Sequence, residues 1–363
     1  MRELFLCFAR LGAVSFGGPA AHIALFEEEF VRRRGWLTRE EFLALNAAAQ
    51  LIPGPNSTEL AIHLGHRRGG WRGLVAAGAG FILPAVALTL VVAWGYVRYG
   101  SLPAVRPALA GIKLAALAIV LRALWDFGRA ALRTPLLWAL AALSVVAIAL
   151  GANELVVLLA AGLLAWAAAA RARLATLSAF LPVAAPLAAH PSPLTLFLSF
   201  AKIGAVLFGS GYVLFAFLHA EFVERLGWLT TGQITDAIAA GQLTPGPLFS
   251  SATFVGYLVA GWKGALVATA GIFLPAFSFV ALSAPLLPYV ERHPALRAGR
   301  DGVVAASLAL LAWTALGLGR DAFQAPALLS LITLPLALVA LVRFRANTAW
   351  IILAGALLGL ALA

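Results

Sequence analysis

The sequence predicts an all-α, polytopic membrane protein made of two homologous helical units. Its composition, its long uncharged stretches and an internal repeat support this prediction. Hydrophobic residues make up 62% of the 363 residues and charged residues only 11%, about half the charged fraction of an ordinary soluble domain. A helix needs roughly 20 mostly apolar residues to cross a bilayer. Stretches of nearly that length without a charge run over 155–170, 303–318 and 346–363.

The basic excess of the chain indicates a membrane surface rather than nucleic acid as its partner. Lys and Arg number 26 against 15 Asp and Glu, a formal net charge of +11. The arginines stand in short loops between apolar segments, as at 32–34 and 67–68. Such residues mark the cytoplasmic side of a membrane protein and contact anionic lipid. We therefore expect a multi-pass protein of the inner membrane with no nucleic-acid partner.

An internal repeat divides the chain in two. The segment QLIPGP at 50–55 returns as QLTPGP at 242–247, and GAVSFG at 12–17 returns as GAVLFG at 204–209, both 192 positions later. GWLT at 35–38 likewise returns at 227–230. Matches spread over more than half of each unit indicate a duplicated structural module. The predicted domains are an N-terminal unit at 1–173, a linker at 174–193 and a C-terminal unit at 194–363.

Each unit contains two apolar stretches that are interrupted at matching places. The first is broken at Gly17-Gly18-Pro19, or Gly209-Ser210-Gly211 in the second unit, and the second at a Pro-Gly-Pro sequence at 53–55 and 245–247. Proline cannot continue a helix without losing a backbone hydrogen bond. Inside a bilayer such breaks are tolerated only beside other protein or a wet cavity. Paired breaks near the midplane of the two units predict the binding site of a transporter.

The arginines also predict how the two units are oriented. If each broken stretch returns to the side from which it starts, most arginines of the first unit lie on one side of the membrane. In the second unit the equivalent side is poor in arginine and the opposite side is rich in it. Under the positive-inside rule this reversed bias favours an inverted repeat. A parallel repeat is the alternative.

The breaks supply the candidate substrate-binding residues. Asn56 and Ser57 follow the first Pro-Gly-Pro sequence, and Ser250 follows the second. A helix that begins there presents unpaired N–H groups and a partial positive charge, which suits an anion. Arg10 and Lys202 occupy equivalent positions before the first break, as oxyanion-attracting cations or as residues that snorkel to the interface. The remaining candidates are the flexible residues of the first breaks, Gly17, Gly18, Gly209, Ser210 and Gly211.

Glu59 and His63 are candidates for proton coupling. They stand at positions i and i+4 of the helix after the first Pro-Gly-Pro sequence and therefore share a face. A carboxylate beside an imidazole can relay protons. Together with His66 they also resemble a sparse metal site, but no further His or Cys cluster supports one. We expect neither a metal nor a cofactor.

A membrane-embedded serine hydrolase is the alternative from another class of protein. Ser210 would be its nucleophile and His219 the nearest histidine that could serve as its base. The first unit has Gly18 where Ser210 stands, so the repeat shares no catalytic group. The sequence therefore favours a carrier and not an enzyme.

The motifs at the breaks, taken together, resemble those of the chromate ion transporter family. In the first unit they are FGGP at 16–19, WLT at 36–38 and QLIPGPN at 50–56, and in the second FGSG at 208–211, WLT at 228–230 and QLTPGP at 242–247. The resemblance covers nearly the whole chain. It implies two halves of opposed orientation and export of chromate from the cytoplasm, driven by the proton motive force. A carrier of sulfate or another oxyanion is the alternative within this class, and the expected partners include a second copy in a homodimer.

Overall fold

The computed structural model describes residues 1–16, 19–170, 191–208, 211–283, 293–322 and 326–362. Within these ranges the chain is helical and contains no strand, which confirms the all-α prediction. Among the described residues, four segments are long and apolar enough to cross a bilayer: Asn56–Tyr99, Arg106–Ala131, Leu248–Leu282 and Pro294–Ala322. Five shorter apolar helices accompany them. The chain is therefore a multi-pass membrane protein.

The two units contain the same helices in the same order. In the first unit these are α1 (Arg2–Val14), α2 (Pro19–Glu27, continued as a π-helical turn at Glu28–Arg33), α3 (Arg39–Ala49), α4 (Asn56–Tyr99), α5 (Arg106–Ala131), α6 (Pro135–Ala149) and α7 (Glu154–Ala170). In the second unit they are α8 (Pro193–Val206), α9 (Val213–His219, continued at Ala220–Arg225), α10 (Thr231–Leu243), α11 (Ser251–Ser283), α12 (Pro294–Ala322), α13 (Ala327–Arg343) and α14 (Thr348–Ala361).

The broken stretches are hairpins that return to the side from which they start. Glu3 at the start of α1 pairs with Arg34 after α2, at 3.2 Å. Glu41 at the start of α3 pairs with Arg67 in α4, at 2.9 Å. Thr38 caps α3 through a reciprocal capping box with Glu41, which fixes where the second hairpin begins. Both hairpins of the first unit therefore open at one face of the protein.

α4 turns back on itself at Gly69 and Gly70. Gly70 has a φ of +55°, which glycine adopts at little cost. The two arms of α4 then pack so closely that neither Gly65 nor Gly73 has room for a Cβ atom. Gly261 turns α11 in the same way, with a φ of +61°. The second arms, 71–99 and 262–283, are the long crossing helices.

The second unit is inverted relative to the first. Tyr96, near the end of the long arm of α4, donates a hydrogen bond of 2.7 Å to Asp236, near the start of α10. The hairpins of the second unit therefore open at the face where α4 ends, opposite to those of the first. The end of α14, at Gly359, also lies at this face, against the backbone of Pro107. The structure thus confirms the inverted repeat and excludes the parallel one.

The arginines of the two units collect at one face because of this inversion. We call it the arginine-rich face and define it by the hairpin openings at Arg34 and Gly70. Its arginines include Arg32, Arg33, Arg34, Arg67, Arg68, Arg72, Arg129, Arg133, Arg297, Arg300, Arg343 and Arg345. The opposite face, where α4 ends and α5 begins, has far fewer cations in the described part of the chain, such as Arg98, Arg106 and Lys263.

Candidate functional site

Described residues in or beside the four chain breaks meet at one place in the protein. The amide of Gly54, in the first Pro-Gly-Pro elbow, donates to the carbonyl of Leu207 at the first break of the other unit, at 2.7 Å. The amide of Gly246 in the second elbow donates to the carbonyl of Ser15 at 2.8 Å. The two bonds are related by the repeat, since each residue has its counterpart 192 positions away. Each elbow is therefore bonded to the opposite unit.

This junction lies at mid-depth and is too tight for side chains. Gly246 contacts Ala85, which lies midway along the long arm of α4. A Cβ atom on Gly246 would lie 2.8 Å from the Ala85 Cβ and 3.1 Å from the Gly12 carbonyl oxygen. Gly54 and Gly246 also have φ values of +136° and +93°. Both elbows therefore require glycine, and both sit close to the bilayer midplane.

α4 begins at the first elbow and aims its start at the junction. Pro55 precedes the helix, and its carbonyl accepts hydrogen bonds from the amides of Thr58 at 2.7 Å and Glu59 at 3.1 Å. The amides that open a helix point out of its start. Asn56 is thus the first residue of the helix, and Pro55 is its N-cap. Asparagine more often occupies the N-cap itself, one position earlier. The arrangement offers an anion both N–H groups and the positive end of a helix dipole.

His22 joins the first break to this helix start, and it is not among the residues that the motifs single out. Its Nε2 lies 3.2 Å from the Ser15 carbonyl oxygen and its Nδ1 lies 3.0 Å from the Ser57 hydroxyl. Because a carbonyl only accepts, Nε2 donates to Ser15, and in the neutral ring Nδ1 then accepts from Ser57. The ring is buried and packs edge-on against Phe81. A lone histidine between two helix breaks is the one sequence signal that could have identified it.

A vestibule of about 420 Å³ leads from the arginine-rich face to the first elbow. Gln50 and Asn56 line it at the elbow, and Arg133 and Arg300 line it nearer the face. Arg300 also forms an ion pair of 2.8 Å with Asp301. Phe208, next to the first break of the second unit, is part of the wall. Both units therefore contribute to one cavity that combines cations with the start of a helix.

Glu59 and His63 lie one and two turns beyond Asn56. Glu59 is fully buried, and neither carboxylate oxygen has a hydrogen-bond partner in the described part of the chain. The His63 Nε2 is likewise buried without a partner there. No hydrogen bond joins these two described side chains, although they share a helix face. An ionised carboxylate in such a place is costly, whereas the protonated form is neutral, so Glu59 is suited to exchange a proton.

Arg10 and Lys202 differ from each other despite their equivalent positions. The Arg10 side chain is exposed. Lys202 is ion-paired with Glu221, and it lies 3.6 Å from Glu154 at the start of α7. Glu221 is buried and also accepts a hydrogen bond of 2.7 Å from Arg225. In the described chain the vestibule wall includes neither Arg10 nor Lys202.

The remaining predicted residues divide into those that the structure describes and those that it does not. Gly17, Gly18, Gly209 and Ser210 lie outside the described residues. Gly211 is half-buried beside Leu248 at the second elbow. Ser250 is fully buried near the same elbow, and its hydroxyl has no hydrogen-bond partner within the described ranges.

The surroundings of His219 disfavour the hydrolase alternative. Its Nε2 lies 3.1 Å from the Thr231 hydroxyl, and its Nδ1 lies 3.2 Å from a carboxylate oxygen of Glu224. Both ring nitrogens therefore face side chains of the second unit, those of Thr231 and Glu224. A general base must be within hydrogen-bond reach of the nucleophile that it activates. Thr231 opens α10 at the face opposite the arginines, so His219 is engaged away from the elbows.

The inverted units, the helices broken at mid-depth and the vestibule that reaches the breaks define a class of protein, the inverted-repeat membrane transporters. Within this class the chain belongs to the chromate transporter family. The family model for chromate transporters matches residues 2–166 and matches again over 194–360.

Three relatives are similar over most of their length. The chromate transport protein of Cupriavidus metallidurans is 34% identical over 372 residues, covering 99% of this chain and 92% of the relative. The chromate transport protein of Pseudomonas aeruginosa is 34% identical over 98% of this chain and 91% of its own. A probable chromate transport protein of Synechococcus elongatus is 30% identical over 89% and 86%. No solved structure matches the chain.

Proposed function

We propose that this protein is a secondary transporter that exports chromate across the inner membrane, driven by the proton motive force. One observation supports this most strongly: the vestibule that reaches the Asn56 elbow from the arginine-rich face. The relatives from Cupriavidus metallidurans and Pseudomonas aeruginosa are chromate transport proteins, which indicates the substrate. The cavity supplies a place where a dianion can leave the cytoplasm and meet the mid-depth helix start.

The groups at the elbow suit a tetrahedral dianion. Chromate carries two charges and four oxygens that accept hydrogen bonds. The amides at the start of α4 and the Asn56 side chain can donate to those oxygens, and Arg133 and Arg300 attract the anion into the vestibule. No charge of the protein need move for this binding, because helix dipole and amides are fixed.

The direction follows from the charge of the substrate and from the topology. Under the positive-inside rule the arginine-rich face is cytoplasmic, so the vestibule is open to the cytoplasm. A membrane potential acts on each elementary charge with about 2.3 kcal/mol per 100 mV. A dianion that leaves an interior-negative cell therefore gains about 4.6 kcal/mol per 100 mV. The electrical part of the proton motive force is sufficient to drive export.

Glu59 is the group that we propose for coupling to protons, with His63 as the adjacent relay. It lies one turn from Asn56, buried and without a partner in the described chain. A dianion at the elbow repels an ionised carboxylate at that distance, so anion binding and protonation of Glu59 favour each other. The occupancy of the elbow is thereby linked to the proton concentration on the side to which it opens, while the membrane potential supplies the driving force for export.

A sulfate carrier is the second candidate, and the same site favours it. Sulfate has the charge and the tetrahedral shape of chromate, and a site built from N–H groups recognises these features in both. The two functions differ only in which of the two anions the site prefers, and competition between chromate and sulfate measures this preference.

Transport into inverted membrane vesicles tests the proposal. Labelled chromate should accumulate when an interior-positive potential is imposed, and Asn56→Ala should lower the rate at least about tenfold through the loss of a charge-assisted hydrogen bond. Asn347→Ala is the control, because Asn347 is the asparagine that caps the start of another helix, α14, and lies outside the vestibule. Excess sulfate that abolishes uptake identifies the sulfate carrier. Full chromate transport by Asn56→Ala contradicts the proposed site.

A further inference from the structure

The inverted repeat places a second vestibule, of about 550 Å³, at the face opposite the arginines. Five residues of its wall are the repeat counterparts of five residues in the wall of the first vestibule, 191 positions apart in every case. These pairs are Leu109 with Arg300, Ala110 with Asp301, Lys113 with Val304, Ala130 with Asp321, and Ala131 with Ala322. The two cavities are therefore equivalent positions on the two sides of the membrane.

The two vestibules differ in whether they reach an elbow. Gln50 is exposed in the first vestibule, whereas its counterpart Gln242 is 5% exposed and absent from the wall of the second. Leu43 in α3 is 50% exposed, whereas its counterpart Thr235 in α10 is 2% exposed. α10 packs against α5 and α14, while α3 packs chiefly against its own unit. α10 therefore separates the second vestibule, which we call the outer vestibule, from the junction of the elbows.

A buried polar cluster fastens α10 in this closed position. The Asp236 carboxylate on α10 accepts a hydrogen bond of 2.7 Å from the Tyr96 hydroxyl and lies 3.7 Å from the Lys113 Nζ on α5. The Asp236 side chain is only 4% exposed, while Lys113 is part of the wall of the outer vestibule. On the arginine-rich side, the repeat counterparts of Asp236 and Lys113 are Ala44 and Val304, which carry no charge. The fastening is thus specific to the outer side.

We propose that Lys113 is the outer anion-binding residue of the transport route. In this proposal Asp236, held by Tyr96, closes the route because its carboxylate occupies the anion position beside Lys113. The inference rests on the proposed function, because it assumes that an oxyanion passes between the two vestibules. In the closed state the carboxylate neutralises Lys113. When α10 moves away, the ammonium group is left facing the outer vestibule, where a tetrahedral dianion takes the place of the carboxylate. The exchange keeps a negative partner beside the lysine in both states.

The closing role is tested by thiol labelling, which does not require transport. Gln242→Cys is introduced after Cys7, the only cysteine, is replaced by Ser. A membrane-impermeant thiol reagent is applied to the outer side of intact cells. Asp236→Asn should increase the labelling rate about tenfold, since one charge-assisted contact is lost. Lys113→Met should increase it similarly, which covers the case in which Asp236→Asn fails to fold.

Asp126→Asn is the matched control for the labelling. It removes the carboxylate of a surface pair with Arg122, 2.7 Å long, that lies outside α10. Its labelling rate should equal that of the parent. Unchanged labelling in both Asp236→Asn and Lys113→Met overturns the inference.

The anion-binding role is tested by transport with an internal check on the proposed function. Lys113→Ala should lower chromate export about tenfold, and Lys113→Arg should restore most of it. In the same variants chromate should still protect Gln50→Cys from a reagent on the arginine-rich side. If Lys113→Ala exports chromate at the parental rate while chromate still protects Gln50→Cys, the inference about Lys113 is overturned and the proposed function stands. An absence of protection in the parent refutes the proposed function, while the labelling of Gln242→Cys still decides whether Asp236 closes the outer side.

Discussion

The backbone amide of Gly54 is hydrogen-bonded to the carbonyl of Leu207, and the repeat reproduces this bond between Gly246 and Ser15. These two bonds cross from one unit to the other at mid-depth. In a bilayer a backbone group freed by a helix break must find a partner inside the protein or in a cavity. The two units supply that partner to each other, and this explains why helices can be broken here at all.

We expect Gly54→Ala and Gly246→Ala each to destabilise the protein by about 1–3 kcal/mol, because an L-residue is strained at these positive φ values. A close contact adds to this strain in both variants: the new methyl of Gly246→Ala meets Ala85 and the Gly12 carbonyl, and that of Gly54→Ala meets the buried Glu59 carboxylate. Thermal unfolding in detergent measures the loss. Gly95→Ala is the control, because Gly95 is helical with open space around it, and it should be neutral or slightly stabilising. Equal melting temperatures for all three variants would disprove the tight junction.

We expect His22→Phe to cost about 1–3 kcal/mol of stability and to slow transport. The apolar ring fills the space beside Phe81 but leaves Ser57 without its partner and removes a donor to Ser15. Unfolding and chromate uptake are measured on the same preparation. His66→Phe serves as the comparison, since His66 is less buried and contacts Trp71 at its edge. Wild-type stability in His22→Phe would show that the histidine does not join the break to the helix.

Glu59→Gln should make the rate of chromate transport independent of the pH gradient. The amide resembles a permanently protonated carboxyl, so the variant should still bind chromate and export it with the membrane potential. Its rate should no longer respond when a pH gradient is imposed at constant potential in vesicles. Glu28→Gln, which removes an exposed carboxylate paired with Arg32, should keep the parental response. An unchanged response in Glu59→Gln would remove Glu59 from the coupling.

Lys202→Ala should affect folding, whereas Arg10→Ala should affect neither folding nor binding. Removal of Lys202 deprives the buried Glu221 of one of its two cations, at a cost of about 1.5–3 kcal/mol for a lost charged hydrogen bond. Arg10 is exposed, and its loss should stay within about 0.5 kcal/mol. Unfolding and chromate binding are compared for both. A stable Lys202→Ala protein that fails to bind chromate would show that Lys202 belongs to the substrate site.

Much of the architecture could be predicted from the sequence because it follows from local chemistry. Prolines that cannot continue a helix predicted the elbows, and the arginine asymmetry predicted the inversion, since both signals are independent of long-range packing. The duplication also indicated which residues are equivalent. It could not show that equivalent residues differ in surroundings, as Arg10 and Lys202 do.

The parts that escaped prediction depend on contacts between distant segments. Lys202 is engaged because Glu221, in its own unit, and Glu154, from the other unit, both approach it. His22 matters because the fold brings Ser57 to it. Arg133 and Arg300 line the same vestibule only because the second unit is inverted. None of these pairings has a sequence signature, because each joins segments far apart in the chain.

A structure of the protein with bound chromate, in which the anomalous scattering of chromium locates the ion, tests the proposed binding site. We expect a chromium peak in the vestibule at the start of α4, with an oxygen within hydrogen-bond distance of Asn56. A peak found only beside Arg10 or Lys202, with the vestibule at Asn56 empty under saturating chromate, would contradict it.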